Sequence, residues 1–395
     1  MALKTAKTAL AIALQVGGAG VFANPTSADI YPISQARLDI QGQTLDNDEY
    51  LGQIFRNAPD IAGKRVTLGF NVKLRPPGGT IPTANAFIPG RLLQAAKYTE
   101  IVNTTAIPAA PEAVGAGSTT TAVTLGATAA ATANLYKAFP LLITDNGATY
   151  KERLTAIRSY SAAKVAVLME ELGAIPAANY QIPSFLGYAR SIDETDPPLL
   201  SAKIWIDGHR FDLIDLRCTG AQFVVPTTTR DQAAYPEMQF TFDCRIHANS
   251  AEATPAITPL GAVPLFRNGD LMLNRVRIGA STFTIDNGVQ TEDPPNPNQP
   301  EGVDAAEMVG GTATVSLTWQ KYLPSVIDPL ALADAQAQHP FFAQWGNGPG
   351  SIVQINVPDA RLNYSNPDLG GQLVMQSTDL MIDAFDRAIM IAFPY

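Results

Sequence analysis

The residues best able to do chemistry are few and far apart. Histidine occurs as His209, His247 and His339. None stands in a spacing by which one helix face or loop presents ligands to zinc. Asp46-Asn47-Asp48-Glu49 and Glu292-Asp293 offer carboxylates to calcium. Neither has the central glycine and terminal glutamate that shape a calcium loop, so solvated turns are the better reading. Gly346-Asn347-Gly348-Pro349-Gly350 is glycine-rich but lacks the strand-to-helix setting of a phosphate cradle, and no GxSxG motif occurs. Among 36 acidic residues no two are marked as an acid–base pair. The basic residues are scattered without the aromatic interleaving that grips single strands. Cys218 and Cys244 lie in expected strands, where a pair is conceivable but two small buried apolar side chains fit better. The expectation is a non-enzyme with no catalytic residue, no cofactor and no metal.

Composition points from chemistry toward assembly. The chain has 395 residues, enough for two or three domains. Charged residues make up 16%, below the ~25% of ordinary soluble domains, which suggests that other copies cover much of the surface. A net charge of −9 argues against gripping phosphates while leaving room for nucleic acid to pass without sticking. Lys4, Lys7, the apolar run 9–14 and Val21-Phe22-Ala23 can be read as a secretory signal, but Gln15 and the glycines after it interrupt the run. No stretch approaches the ~18 apolar residues of a membrane helix.

The positioning elements are mostly strands. From Val66, apolar Leu68, Phe70, Val72 and Leu74 alternate with Thr67, Gly69, Asn71 and Lys73, so one face is buried and the other wet. Residues 310–321 echo this, with Val315, Leu317 and Trp319 against Thr314, Ser316, Thr318 and Gln320. A single offset of 247 residues superposes Ser34 on Ser281, Asp46 on Asp293, Gly63 on Gly310 and Thr67 on Thr314. Strand, long polar connection and strand recur at equal lengths, as a duplication requires. Further strands are expected at 30–40, 202–206, 211–225, 238–246, 274–285, 352–357, 372–382 and 388–393. Short helices are expected at 91–98 and from Asp328-Pro329. The most helical spacing, Leu154, Ile157, Tyr160, Val165, Leu168 and Leu172, predicts a helix over 151–172. Residues 103–134, rich in Ala, Thr and Gly, read as an extended segment that holds no core. The expected division is a first domain, 1–248, with an insertion at about 103–180, a linker, 249–264, and a second domain, 265–395.

The order of these stretches resembles the tail tube (major tail) proteins of long, non-contractile-tailed bacteriophages, in their form with two tube domains per chain. The resemblance rests on ALAIALQVGGAGVFANPTS before YPISQARLDI, then GKRVTLGFNVKLRP, KIWIDGHRFDLIDLRCTGAQFVV and PEMQFTFDCRI. It continues through GGTATVSLTW, DPLALADA and SIVQINVPDARLNYS, and leaves out about 103–180. It implies a mainly β fold with flanking α-helices: two tandem β-sandwich or half-barrel domains that join neighbours into a continuous inner β-barrel. It further implies pseudo-six-fold rings, made as trimers of two-domain chains, that stack into a tube through which DNA travels without specific binding. The tape-measure, tail terminator and distal tail proteins would be partners. The site would be the virion tail, assembled in host cytoplasm, with no membrane.

Under this reading Thr67, Gly69, Asn71, Thr314, Ser316 and Thr318 line the lumen. The polar connections 42–62 and 286–309, with Asp46, Asp48, Glu49, Tyr50, Asp293, Asn296 and Glu301, stack ring on ring. The competing class is an exported surface or secreted β-sandwich binding protein, whose mature chain starts near Asn24 and carries a Cys218–Cys244 bridge.

Overall fold

The computed structural model describes residues 7–46, 58–144, 149–175, 179–258, 260–299 and 301–395. Among the described residues strands hold 48% and helices 6%, so this part of the chain is mainly β with short helices at the flanks. The first part opens with β1 (Thr8–Leu14), β2 (Ile30–Tyr31), β3 (Ser34–Leu45), β4 (Asp60–Lys73) and α1 (Ile88–Ala95). An excursion follows through β5 (Tyr98–Asn103), β6 (Ile107–Ala113), β7 (Ala122–Thr124), β8 (Pro140–Ile143) and α2 (Tyr150–Arg153). It ends with β9 (Leu154–Tyr160), β10 (Val165–Leu168), β11 (Asn179–Ile182) and β12 (Phe185–Arg190). The first part closes with β13 (Leu200–Ile206), β14 (His209–Pro226) and β15 (Glu237–Ala251). The second part contains β16 (Asp270–Leu273), β17 (Val276–Arg277), β18 (Ala280–Asp286), β19 (Gln290–Glu292), β20 (Glu307–Gly310) and β21 (Thr314–Gln320). After α3 (Pro329–Asp334) come β22 (Gln338–Trp345), β23 (Val353–Leu362), β24 (Asn366–Asp368), β25 (Met375–Ile382) and β26 (Met390–Pro394).

The two parts follow one pairing plan. Across β3–β4, Gln43 faces Gly63 and Leu45 faces Asp60; 247 residues on, Gln290 faces Gly310 and Glu292 faces Glu307. The register slips after Gln43 in the first part and after Gln290 in the second. The later strands agree as closely. A slip after Leu200 in β13–β14 recurs after His339 in β22–β23. Gln222 faces Gln239, and at the matching place Asn366 faces Ser377. Bare alternation in two unrelated strands would reproduce the faces but not the irregularities.

Each part flanks its sheet with a short helix. Asp328 caps α3 by accepting from the Leu330 and Ala331 N–H groups, ahead of Pro329 in the first turn. The parts do not keep separate cores. Leu68, Phe70, Phe240 and Phe242 of the first belong to one apolar cluster with Phe283, Trp319, Phe341 and Trp345 of the second. Of the expected linker, residues 249–251 are the end of β15, and the described residues 252–258 and 260–264 form neither helix nor strand.

Two expectations are corrected. Residues 151–172 form the single turn α2 and then the β9–β10 hairpin, which turns at residues 161–164 with Lys164 at φ 62°. Thr155, Ile157, Val165 and Val167 are β-branched and suit a pleated surface, and the slip beside Leu168 mimics a helical period. Residues 103–134 do contribute to a core. The excursion builds a six-stranded sheet in the order β6-β11-β8-β9-β10-β7, and Val123, Leu125 and Ala129 pack with Tyr136, Phe139 and Tyr180. β5 and β12 pair with each other and β12 with β26, so both belong to the main sheet and frame the excursion. The apolar run near the N-terminus, where a secretory signal was the weaker reading, is strand β1, between β13 and β2, with Leu10 and Ile12 in the core. Gln15, which interrupts that run, is buried and donates from Nε2 to Asp215 Oδ1 at 2.6 Å and Gly18 O at 2.6 Å.

Candidate functional site

One sheet runs through both parts in the order β3-β4-β15-β14-β18-β21-β25-β24. Residues directly opposite on neighbouring strands share a face. Asn71 faces Gln239, Gln239 faces Gln222, Gln222 faces Asp286, and Asp286 faces Thr314. The next row runs from Lys73 through Glu237, Val224 and Thr284 to Ser316 and Asp379. Thr67, Gly69, Asn71, Thr314, Ser316 and Thr318 therefore lie on one continuous face, brought together by the β14–β18 junction. The opposite face, with Phe70, Phe223, Phe283 and Leu317, is core.

The six residues are not equally open. Ser316 is exposed and Thr67, Thr314 and Thr318 are half-buried. Asn71 is only 8% exposed, because its Nδ2 donates to Gln35 Oε1 at 3.2 Å and Glu237 Oε2 at 3.0 Å. Lys73 shares the face, so the face is not small and uncharged throughout. Its ammonium lies 3.9 Å from the Tyr235 ring centroid, and its backbone register partner is Glu237. Arg65 pairs with Asp243, and Arg37 with Asp39 at 2.6 Å. Asp379 accepts from Ser316 Oγ at 2.6 Å, and Asp286 from the Gly288 N–H at 2.8 Å. Arg37 and Arg65 are thus ion-paired, Lys73 lies over the Tyr235 ring, and Asp286 and Asp379 add negative charge.

The two polar connections behave differently. The β3–β4 arm continues the sheet outward, with Asp46 exposed at its end. Asp48, Glu49 and Tyr50 lie outside the described residues. The matching arm of the second part is kinked where β18 passes into β19 and β20 into β21. Gly288 has φ 61° and Gly311 φ 154°. A Cβ on Gly288 would sit 1.9 Å from Thr312 O, and one on Gly311 2.0 Å from Gly288 O, so the crossing demands glycine. The kinked arm lies back on the first part. Arg245 Nε meets Glu301 Oε2 at 3.2 Å, Arg245 donates to Val303 O at 2.8 Å, and Arg217 Nε donates to Ala306 O at 2.6 Å. Asn296 closes the turn by donating to Asp304 at 2.9 Å. Glu301 and Asn296 are thus engaged within the chain, which leaves Asp293 as the exposed member of that set.

The three histidines lie apart, with His247 exposed, His209 half-buried and His339 buried. His247 stacks on Phe22 and His209 meets Phe211 edge-on. His339 Nδ1 lies 3.1 Å from Asn274 Oδ1. Cys218 and Cys244 are buried free thiols, and burial pushes Cys218 up to about 12. Among the described residues no group of His, Cys, Asp and Glu could hold a metal ion. A cavity of about 830 Å³ beside Tyr31 and Arg75 is lined mainly by proline, alanine and glycine. No helix among the described residues is long and apolar enough to cross a membrane.

Both ends of the sheet are open. β3 pairs with β4 on one side, β24 pairs with β25 on one side, and no other strand covers either edge among the described residues. Exposed apolar side chains gather near these edges, with Ile40 and Leu45 at one and Tyr364, Leu369 and Leu373 at the other. No protein-family model matches the chain, and no curated protein is significantly similar to it.

Proposed function

We propose that the chain is a structural virion protein, the tail tube subunit of a long, non-contractile-tailed bacteriophage. It polymerises into stacked rings whose hollow core conducts DNA from capsid to host cell. One observation carries this reading: a single sheet crosses both parts with a continuous, largely polar face and, among the described residues, ends in two unpaired edges. Unpaired edges invite pairing with another chain, and closing the sheet on itself removes them. Three chains of eight strands each, at ~4.8 Å spacing and ~40° tilt, would close a barrel about 45–50 Å across at the backbone, wide enough for duplex DNA. The polar face would then line the lumen. Its carboxylates repel phosphates, so DNA slides instead of binding. The sequence order described above and the low charge content point the same way.

Negative-stain microscopy of the purified full chain tests this. Uniform hollow tubes or rings are the expected result. Dispersed monomers at all concentrations would overturn it and favour the exported binding module.

A further inference from the structure

We infer that the β14–β18 junction inside the chain is the template for the contact between chains, and that it fixes which residues meet. The inference rests on the tube reading and adds the register.

Inside the chain Gln222 faces Asp286, Phe223 faces Ile285 and Val224 faces Thr284. The pairing plan equates β18 with β3 and the end of β14 with β24, since Gln222 and Asn366 occupy the same place opposite Gln239 and Ser377. β24 of one chain therefore pairs with β3 of the next, placing Asn366 opposite Asp39, Pro367 opposite Leu38, and Asp368 opposite Arg37. The chemistry of the rows agrees. An amide facing a carboxylate, Gln222 with Asp286, becomes Asn366 with Asp39. Asp368 meets Arg37, whose side chain is 73% exposed in the single chain. Leu369 and Leu373, 75% and 68% exposed, lie at the same edge and would be covered by the neighbour.

The contact is head-to-tail, joining two different edges, so it closes only as a ring. Pro367 modifies it. In the internal junction Asn287 N–H donates to Ala221 O and Thr227 N–H to Ser281 O, so alternate residues of β14, Phe223 included, turn their backbone groups toward β18. Pro367 stands at the place of Phe223 and has no N–H, so the ladder between chains is one hydrogen bond shorter than the internal one. A proline at this edge also restrains unlimited pairing with wrong strands.

Paired cysteines test the register in the full chain. Asp39 and Asn366 occupy a non-hydrogen-bonded pair, the close geometry that suits a disulfide. On mild oxidation the Asp39→Cys/Asn366→Cys variant is expected to give disulfide-linked dimers and trimers. Leu38→Cys/Asn366→Cys, shifted by one residue to the other face, is expected to give none. Gln222→Cys/Asp286→Cys is the internal control and crosslinks within one chain; its failure removes the template and overturns the inference. Asp368→Arg is expected to raise the protein concentration needed for assembly about threefold or more, and Arg37→Asp in the same chain to restore it. Assembled tubes that crosslink in neither pair overturn the register while the tube reading stands. A chain that stays monomeric under all conditions overturns both.

Discussion

At the residue scale, His339 shows how packing replaces chemistry in this chain. Its Nε2 is buried without a partner, so a proton there would be buried and unsatisfied. Burial, with Arg158 nearby, lowers its pKa from 6.5, so the folded chain holds this proton less readily than the unfolded one. The unfolded chain takes up the proton first. Stability from this group is therefore complete above about pH 6.5 and is lost as pH falls through that value. Urea midpoints measured from about pH 7.5 to 5.5 are expected to fall for the wild type and to fall less for His339→Gln. Trp319 illustrates the other side of the sheet. It is fully buried, and its Nε1 donates to Thr378 Oγ1 at 3.1 Å. Trp319→Ala is expected to cost about 3–5 kcal/mol in denaturant titration.

At the scale of elements, the two arms are one hairpin used in two ways. The kink at Gly288 and Gly311 turns the second arm inward to Arg217 and Arg245, while the first arm has Gln41 and Lys64 at the matching positions and stays paired through them. Gly311→Ala places a Cβ against the Gly288 carbonyl in a backbone region that L-residues avoid. The expected outcome is an arm released from the first part, read as faster amide exchange across residues 290–310. The tube reading assigns ring stacking to the outward arm. Deleting residues 44–60 is expected to leave folded rings that no longer stack, and tubes of normal length from that variant would remove the assignment.

For the whole molecule, the excursion is an addition to the repeat. Asn103 and Phe185 face each other where it leaves and rejoins the sheet, so a short turn can replace residues 104–184 without opening the main ladder. The cost is exposure of Met390, Ala392, Met272, Phe342 and Ile352, loss of the Thr155 and Ala138 carbonyls that accept from Gln354 and Asn356, and loss of the Lys137 and Arg158 pairs with Asp359. Under the tube reading this truncation is expected to keep the lumen and thin the wall, measurable by electron microscopy. Loss of assembly would show instead that the small sheet contacts neighbouring chains.

The sequence alone determined what depends on local period and spacing. Alternation placed Thr67, Gly69 and Asn71 on one face and Thr314, Ser316 and Thr318 on its echo, and the fixed offset matched the two hairpins. Side-chain direction in a strand is a local property, so no partner was needed. Tertiary structure decided the partners. The junction of β14 with β18 merges two sheets and two cores, and it depends on residues some 60 positions apart. The reach of Gln35 and Glu237 to Asn71, which closes off one lumen candidate, depends on the bulged path of β3 and on β15. Residues 151–172 were misread because their apolar spacing suits a helix and a bulged hairpin alike. Only the neighbouring strands β7, drawn from the bland stretch 103–134, and β8 settle which one forms.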